Sequence, residues 1–196
     1  YVEHGPLATM TPEGAASATI EPAKLISYAR QICSGLHYLH RNGVIHRDIK
    51  PSNVLVADDE QTLALTDFGL SKEIIAGEYV KTRIGTYHYM APEQMTGGKY
   101  NSKADVWAAG CLIYAMCTAK ISTRDAVVMF TVRKSPDFES RLRSELRNMY
   151  SEELIAFMLR TLIEKPADRP GSEEALQEVE AIIKKRQASL YTPREE

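Results

Sequence analysis

Residues 46–53 bring together the side chains of this sequence that are best suited to chemistry. Their sequence, His-Arg-Asp-Ile-Lys-Pro-Ser-Asn, contains a carboxylate (Asp48), an ammonium group (Lys50) and a carboxamide (Asn53). Asp48 can accept a proton, Lys50 can stabilise negative charge, and Asn53 offers an amide oxygen to a hard cation such as Mg²⁺. Asp67, which begins an Asp-Phe-Gly sequence, supplies a second carboxylate downstream. Together these residue types predict a site that accepts a proton, stabilises negative charge and binds a divalent cation.

A long amphipathic helix is predicted directly upstream of this stretch. Pro22 suits the first turn of a helix, and Asn42-Gly43 supplies a stop signal about 20 residues later. Between them, apolar residues recur at spacings of three and four, which is the helical period. The helix would lead through the apolar pair Val44-Ile45 into the loop that begins at His46. The recurring apolar positions are Leu25, Ala29, Ile32, Leu36 and Leu39.

Two short runs rich in β-branched and aliphatic residues follow the loop, at residues 54–56 and 63–66. The polar residues between them, Asp58-Asp59-Glu60, are typical of a turn, so the sequence predicts a small β-hairpin. This hairpin would hold Asn53 at one end and Asp67 at the other, with both side chains facing one metal site.

The remaining elements are predicted to be helices. Residues 102–118 are apolar on most sides, which indicates a buried helix. Ser151 is predicted to cap a later helix, and Ser172 is predicted to cap the last helix, ending at about Arg186. The tail over residues 187–196 is expected to fray, because chain ends are poorly ordered unless they are tied down.

Two more motifs complete a recognisable set: Ala91-Pro92-Glu93, and Asp105-x-Trp107-x-x-Gly110 in the predicted buried helix. With His-Arg-Asp and Asp-Phe-Gly before them, in this order, they resemble the eukaryotic protein kinase family, serine/threonine type. Any one of these polar residues alone would be typical of a solvated loop. Their order and spacing together favour the kinase interpretation.

The resemblance implies a mainly α fold: a protein-kinase-like C-lobe, which is a helical bundle with a small β-hairpin carrying the catalytic and Asp-Phe-Gly loops. Residues 1–7 would be a remnant of the hinge, residues 8–190 the C-lobe, and residues 191–196 a tail. No Gly-rich loop, strand lysine or partner glutamate precedes His46. The N-lobe is therefore expected to be absent from this chain.

The activity that the resemblance implies is that of an ATP-dependent serine/threonine protein kinase, acting on a protein substrate in the intact parent. Asp48 would orient the substrate hydroxyl and accept its proton, and Lys50 would stabilise charge on the γ-phosphate. Thr86 would contact both residues, and Asn53 would complete the catalytic set. The Lys-Pro-Ser string favours serine/threonine specificity, but it also occurs among dual-specificity kinase kinases, so tyrosine specificity stays open.

ATP and Mg²⁺ are the cofactors that the resemblance implies. The backbone of Val2, in the hinge remnant, would bond the edge of the adenine, and Leu55 would pack beneath it. Lys50 and Asp67 would complete the nucleotide contacts. Asn53 and Asp67 would ligate Mg²⁺, since amide and carboxylate oxygens suit that ion.

The resemblance also implies three structural contacts. His46 and Phe68 would pack together and set the orientation of the Asp-Phe-Gly loop, which makes packing, rather than proton transfer, the expected role of His46. Asp105 would hold the backbone of the catalytic loop. Glu93 and Arg169 would form a buried salt bridge between the activation segment and the late helices.

The stretch 67–93 resembles an activation segment, whose polar middle is expected to be a mobile loop. Thr82 matches a frequent activating phosphorylation site, and Tyr79 is an alternative. Arg47 would bind the phosphate through charge-assisted hydrogen bonds and so order the loop. An upstream activating kinase is the implied partner. The alternative is a loop that is ordered without phosphorylation.

The missing N-lobe leaves two interpretations open. The first is a catalytic fragment of a serine/threonine kinase, which the intact Asp48, Asn53 and Asp67 favour. The second is a truncated, catalytically inactive kinase-like binding module, which the missing phosphate-binding elements favour. In either case the isolated chain is expected to have negligible kinase activity.

Composition narrows the partners and the compartment. The formal net charge of −2 argues against binding of nucleic acid or a membrane surface. An odd number of cysteines, 3, without metal-ligand spacing indicates a reducing compartment, so a cytoplasmic location is predicted. Cys111 and Cys117 lie in an apolar helical run and are expected to be buried thiols.

Overall fold

The computed structural model describes residue 7 and residues 20–57, 59–73, 86–118 and 129–191. The predictions for Val2, Thr82 and Tyr79 lie outside these residues. The helices and strands are α1 (Pro22–Arg41), β1 (Val44–Ile45), β2 (Val54–Val56), β3 (Leu63–Leu65), β4 (Lys72–Glu73), α2 (Pro92–Met95), α3 (Lys103–Cys117), α4 (Met129–Val132), α5 (Phe138–Leu146), α6 (Glu152–Thr161) and α7 (Ser172–Tyr191). The prediction of a mainly α fold is confirmed.

Helix α3 lies at the centre of the core, as the apolar sequence on most of its sides predicts. Residues 104–117 are all buried, and α3 packs against α1, α6 and α7. Gly110 is required for this packing, because a Cβ at that position would collide with the side chain of Thr161 on α6. In the part of the chain that the structure describes, no helix is long and apolar enough to cross a membrane.

Helix α1 follows its sequence signals closely. Pro22 occupies the first turn, and the Glu21 side chain accepts a hydrogen bond from the Lys24 backbone N–H at 3.0 Å. The helix ends before Asn42, and Gly43 has a φ of 74°, which glycine adopts without the steric cost of a side chain. The apolar stripe faces the core, where Leu25, Ala29, Ile32 and Leu36 are buried.

Two short antiparallel ribbons flank residues 46–53. The β2–β3 hairpin has the predicted position, with Val54 opposite Leu65 and Val56 opposite Leu63. The second ribbon pairs β1 with β4 and is new, since the sequence marked residues 44–45 only as an apolar pair. Two-residue strands have no measurable periodicity, so only the tertiary fold reveals this pairing.

Side chains of α1 hold the far end of the β2–β3 hairpin. Gln31 donates a hydrogen bond from Nε2 to the Gln61 carbonyl at 2.7 Å and accepts one from the Leu63 backbone N–H at 2.8 Å. The Tyr28 hydroxyl donates to the Glu60 carbonyl at 2.7 Å. These bonds satisfy backbone groups of the turn and fix the hairpin against α1.

The prediction for the last helix was wrong at both ends. Helix α7 continues to Tyr191 rather than ending near Arg186, because residues 187–191 contain no helix breaker and Pro193 is the next one. Ser172 is the first residue of α7 instead of its cap, and its hydroxyl contacts His40. The Glu174 carboxylate accepts a hydrogen bond from the Gly171 N–H at 2.7 Å, just before the start of the helix.

The buried ion pair that the family resemblance implied is present. Arg169 donates from its two terminal nitrogens to the Glu93 carboxylate at 2.8 and 3.0 Å. The Arg169 side chain is fully buried and also donates to the Lys103 and Glu164 carbonyls. Its guanidinium lies 5.0 Å from the centre of the Trp107 ring. This network ties α2, α3 and the segment before α7 together.

The cysteines are unpaired and buried, as predicted for Cys111 and Cys117. Burial raises the pKa of the Cys33 thiol, and to a smaller extent so does the charge of Glu178, to about 12. Burial also raises the pKa of Cys117 to about 12. The thiols of Cys33 and Cys117 are therefore protonated at physiological pH and chemically inert in the folded protein.

Candidate active site

The predicted catalytic loop, residues 46–53, connects β1 to β2 and is held by the carboxylate of Asp105 on α3. Asp105 accepts the backbone N–H of His46 at 2.8 Å and that of Arg47 at 2.9 Å. Arg47 has a φ of 69°, which is unfavourable for a residue with a side chain. The Asp105 carboxylate thus stabilises a backbone conformation that the loop sequence alone would not favour.

The residues predicted to be catalytic meet at the Asp48 carboxylate, which is 6% exposed. One oxygen, Oδ1, accepts hydrogen bonds from the Thr86 backbone N–H at 3.0 Å and from the Thr86 hydroxyl at 2.9 Å. The other oxygen, Oδ2, lies 3.0 Å from Asn53 Nδ2 and 2.6 Å from Lys50 Nζ. Asp48, Lys50, Asn53 and Thr86 therefore form one contiguous cluster.

This cluster lowers the pKa of Asp48 below its ordinary value. Burial of the carboxyl group pushes the pKa upwards, but the hydrogen bonds from Lys50 and Thr86, the charge of Lys50 and the Asn53 bond together outweigh burial. Asp48 is therefore a carboxylate at neutral pH and a weak base. Such a group orients a hydroxyl well but takes its proton only when the oxygen has become acidic during the reaction.

Asn53 and Asp67 lie at the same end of the β2–β3 hairpin, where the Thr66 N–H donates to the Asn53 carbonyl at 3.0 Å. The Asn53 amide nitrogen donates to the Asp48 carbonyl at 2.8 Å, so the amide oxygen is the atom that can serve a cation. Asp67 is exposed, has a φ of 61°, and accepts the Gly69 N–H at 3.2 Å.

The donor set of Asn53 and Asp67 fits Mg²⁺. This ion prefers oxygen ligands and is commonly held by one or two protein carboxylates together with substrate phosphates. Among the residues that the structure describes, no group of three or more histidine, cysteine, aspartate or glutamate side chains could hold a metal ion. Asn53 and Asp67 would be two protein ligands in a set that substrate phosphates could complete.

The packing of His46 against Phe68 agrees with a structural role for the histidine. Their ring centres are 5.2 Å apart, and His46 is fully buried. Since a carbonyl only accepts, His46 Nε2 donates to the Thr66 carbonyl at 3.0 Å. His46 therefore connects the catalytic loop to the residue that precedes Asp67, and its protonated nitrogen is occupied.

Leu55 and Arg47 are the other predicted site residues that the structure describes. Leu55 is half-buried in β2, opposite Ala64 of β3. Arg47 donates from Nε to the Leu70 carbonyl, which joins the catalytic loop to the turn after Asp67. The phosphate-binding role of Arg47 stays a prediction, because Thr82 lies outside the described residues.

Sequence reasoning missed His40, which contacts the same Asp105 carboxylate that holds the catalytic loop. Its Nε2 lies 2.9 Å from Asp105 Oδ2, and its side chain is 8% exposed. One signal could have found it: His40 follows Leu36 by four residues and so continues the apolar stripe of α1. A histidine on the buried face of a helix needs polar partners from other elements.

The arrangement of these motifs agrees with a comparison against known families. The sequence profile described as "Protein kinase domain" matches residues 1–179. The chain belongs to the protein kinase family. The resemblance inferred from the motifs is therefore confirmed at the level of the family.

Among protein kinases, the chain is similar to several curated relatives. It is 36% identical over 166 residues to mitogen-activated protein kinase kinase kinase 1 of Homo sapiens, covering 78% of this chain and 10% of the relative. It is 35% identical over 178 residues to the probable serine/threonine-protein kinase nek2 of Dictyostelium discoideum, covering 82% and 39%. It is 34% identical over 184 residues to the serine/threonine-protein kinase cds1 of Schizosaccharomyces pombe, covering 90% and 39%. The chain thus spans only part of the length of these kinases.

Proposed function

We propose that this chain is the C-lobe of a serine/threonine protein kinase, which transfers the γ-phosphate of ATP to hydroxyl groups of a protein substrate. The observation that carries the proposal is the buried Asp48 carboxylate, contacted by Lys50, Asn53 and Thr86. Phosphoryl transfer depends mainly on positioning and on stabilising negative charge, and this cluster combines both.

Each member of the cluster has a distinct role in this proposal. Asp48 aligns the substrate hydroxyl with the phosphate and accepts its proton as the bond to phosphorus forms. Thr86 fixes one oxygen of Asp48 through two hydrogen bonds, which leaves the carboxylate little rotational freedom. Lys50, whose side chain is 25% exposed, can reach from Asp48 towards the transferred phosphate. Kinase function thus uses groups that are already oriented by folding.

The nucleotide and metal contacts are part of the same proposal. Asn53 and Asp67 hold Mg²⁺, which neutralises the phosphate charge when it is bound. Leu55 would pack beneath the adenine, and the backbone of Val2 would bond its edge. These assignments rest on the family motifs, and the donor types at Asn53 and Asp67 support them.

Specificity for serine and threonine is supported by the Lys-Pro-Ser string after Asp48 and by Thr86. Two of the relatives described above are named as serine/threonine-protein kinases, which agrees with this specificity. The experiment is to present matched peptides that differ only in Ser, Thr or Tyr at the acceptor position. Phosphorylation of the tyrosine peptide at a rate similar to the serine peptide would contradict this assignment.

Regulation and location complete the proposal. Phosphorylation of Thr82 by an upstream kinase orders the activation segment through Arg47, and Tyr79 is the alternative site. Replacing Thr82 with Ala is expected to reduce kinase activity at least about tenfold, and unchanged activity would refute this assignment. The protein is proposed to work in the cytoplasm, since its unpaired, buried cysteines suit a reducing compartment.

The decisive experiment measures phosphate transfer by the complete protein that carries these residues. Asp48→Asn is expected to reduce kcat about 1,000-fold, whereas Asp168→Asn, at an exposed aspartate, should leave kcat unchanged. The isolated chain of 196 residues is expected to have negligible activity. Robust transfer by that isolated chain, abolished by Asp48→Asn, would overturn the expectation for the fragment.

One observation favours a second function, that of a catalytically inactive kinase-like binding module. Tyr38 and Phe68 are 59% and 49% exposed and border an apolar groove with Ile32, Leu63 and Leu65. Large exposed apolar side chains beside such a groove are typical of a surface that meets another protein. A complete protein without phosphate transfer, in which Asp48→Asn changes nothing, would favour this function over the kinase.

A further inference from the structure

A chain of contacts joins the first residue of α7 to the catalytic loop. Ser172 Oγ lies 2.9 Å from Nδ1 of His40, on α1, and the other ring nitrogen of His40 lies 2.9 Å from Asp105 Oδ2, on α3. The side chains of His40 and Asp105 are 8% and 2% exposed. Asp105 also accepts the backbone N–H groups of His46 and Arg47. The start of α7 is therefore linked through His40 of α1 to the α3 carboxylate that holds the loop.

The chemistry of these groups sets the direction of the hydrogen bonds. A carboxylate oxygen can only accept, so the proton of His40 must be on Nε2, which donates to Asp105. In the neutral ring Nδ1 is then an acceptor, and the Ser172 hydroxyl donates to it. Without this hydroxyl, Nδ1 would be a buried acceptor without its partner, and the tautomer of His40 would lose its support.

The loop depends on Asp105 because of its backbone conformation. Arg47 has a φ of 69°, and such a conformation costs on the order of 1–3 kcal/mol unless surrounding contacts maintain it. Asp105 supplies that contact by accepting the Arg47 N–H. The next residue is Asp48, so a more mobile Asp105 carboxylate would also make the Asp48 carboxylate more mobile.

We propose that Ser172 is a positioning residue for the catalytic loop, acting through its hydrogen bond to His40. The Ser172 hydroxyl fixes the tautomer and orientation of His40, His40 fixes the Asp105 carboxylate, and Asp105 fixes the backbone at residues 46–47. The start of α7 is thereby coupled to the residues around Asp48.

The test measures backbone amide exchange in the complete protein, with and without Ser172→Ala. Exchange of the His46 and Arg47 amides is expected to become about fivefold faster, while the amides of α6 remain unchanged. Ser151→Ala is the matched control, because Ser151 also stands at the start of a helix and its hydroxyl accepts the Leu154 N–H. Unchanged loop exchange in Ser172→Ala, or equal acceleration in Ser151→Ala, would refute the coupling.

A second measurement needs no substitution. Nitrogen chemical shifts of the His40 ring in the unaltered protein are expected to show Nε2 protonated, as donation to Asp105 requires. A ring with unprotonated Nε2 would refute the proposal, even if Ser172→Ala failed to fold.

The activity measurement rests on the proposed function. Ser172→Ala is expected to lower kcat about fivefold with an unchanged KM for ATP, because the loop is loosened and the nucleotide contacts are not. An unchanged kcat despite faster loop exchange would overturn the positioning role. If the complete protein shows no phosphate transfer at all, the proposed function fails, while amide exchange still decides the coupling.

Discussion

The two aspartates of the proposed site, Asp48 and Asp67, are held in very different ways. Asp48 is 6% exposed and is contacted by Lys50, Asn53 and Thr86. Asp67 is exposed and accepts the N–H of Gly69, two residues away in its own turn. The proposed proton acceptor, Asp48, is thus oriented by the folded core, whereas the proposed metal ligand, Asp67, depends on a local turn. Positioning for catalysis can be strongly built into one half of a site and weakly into the other.

The largest expected effect comes from Asp105, which holds the loop that carries Asp48. Asp105→Asn replaces one acceptor oxygen by an NH₂ group that faces backbone N–H donors. The free energy of unfolding is expected to fall by about 3 kcal/mol, because buried donors lose their charged partner. Denaturant unfolding of this variant, beside Asp168→Asn as the control, measures the effect. A loss below about 0.5 kcal/mol would contradict the anchoring role.

The same substitution at both aspartates tests whether they are held differently. Asp48→Asn is expected to lower the free energy of unfolding by about 1–2 kcal/mol. The introduced NH₂ group would face N–H and O–H donors whose hydrogen bonds Asp48 now accepts. Asp67→Asn should change it by less than about 0.5 kcal/mol, since that side chain is exposed. Both should lose most phosphate transfer.

Denaturant unfolding and phosphate transfer would be measured on both variants under the same conditions. Equal losses of stability would show that the two aspartates are held alike. A fully active Asp67→Asn would remove Asp67 from the proposed metal site.

The smallest expected effect is a pH dependence that belongs to Asp48. Its pKa is lowered in the folded protein, so the folded state favours the carboxylate more than the unfolded state does. The resulting stability is present above the unfolded pKa of about 3.9 and is lost as the pH falls through the lower folded pKa. Asp48→Asn should lack this contribution. A difference between wild type and variant that grows on acidification would contradict the lowered pKa.

Much of the fold was predictable where the signal is local. Pro22, the apolar stripe and Asn42-Gly43 predicted α1 correctly, since caps and periodicity act within a few residues. The β2–β3 hairpin was predicted for the same reason. The β1–β4 ribbon and the length of α7 were missed, because the first is a pairing between distant two-residue strands and the second lacks a breaker where fraying was expected.

The candidate site divides in the same way. Family motifs predicted Asp48, Lys50, Asn53 and Thr86, and the structure brings these residues together. The contact between His40 and Ser172 was not predictable, because His40 lies before the catalytic loop and Ser172 far beyond it. Their contact spans 132 positions in sequence, and no spacing rule connects residues so far apart.

By itself, the sequence determined the family and the mainly helical fold, and it predicted the residues of the candidate site, because ordered motifs and helical periodicity depend on neighbouring residues. Only the tertiary structure decided which side chains hold that site. The hydrogen bonds of Asp105 to His40, His46 and Arg47 join separate parts of the chain. Such contacts form only when the buried helix α3 brings those parts together, since buried polar groups must find partners wherever the packed core presents them.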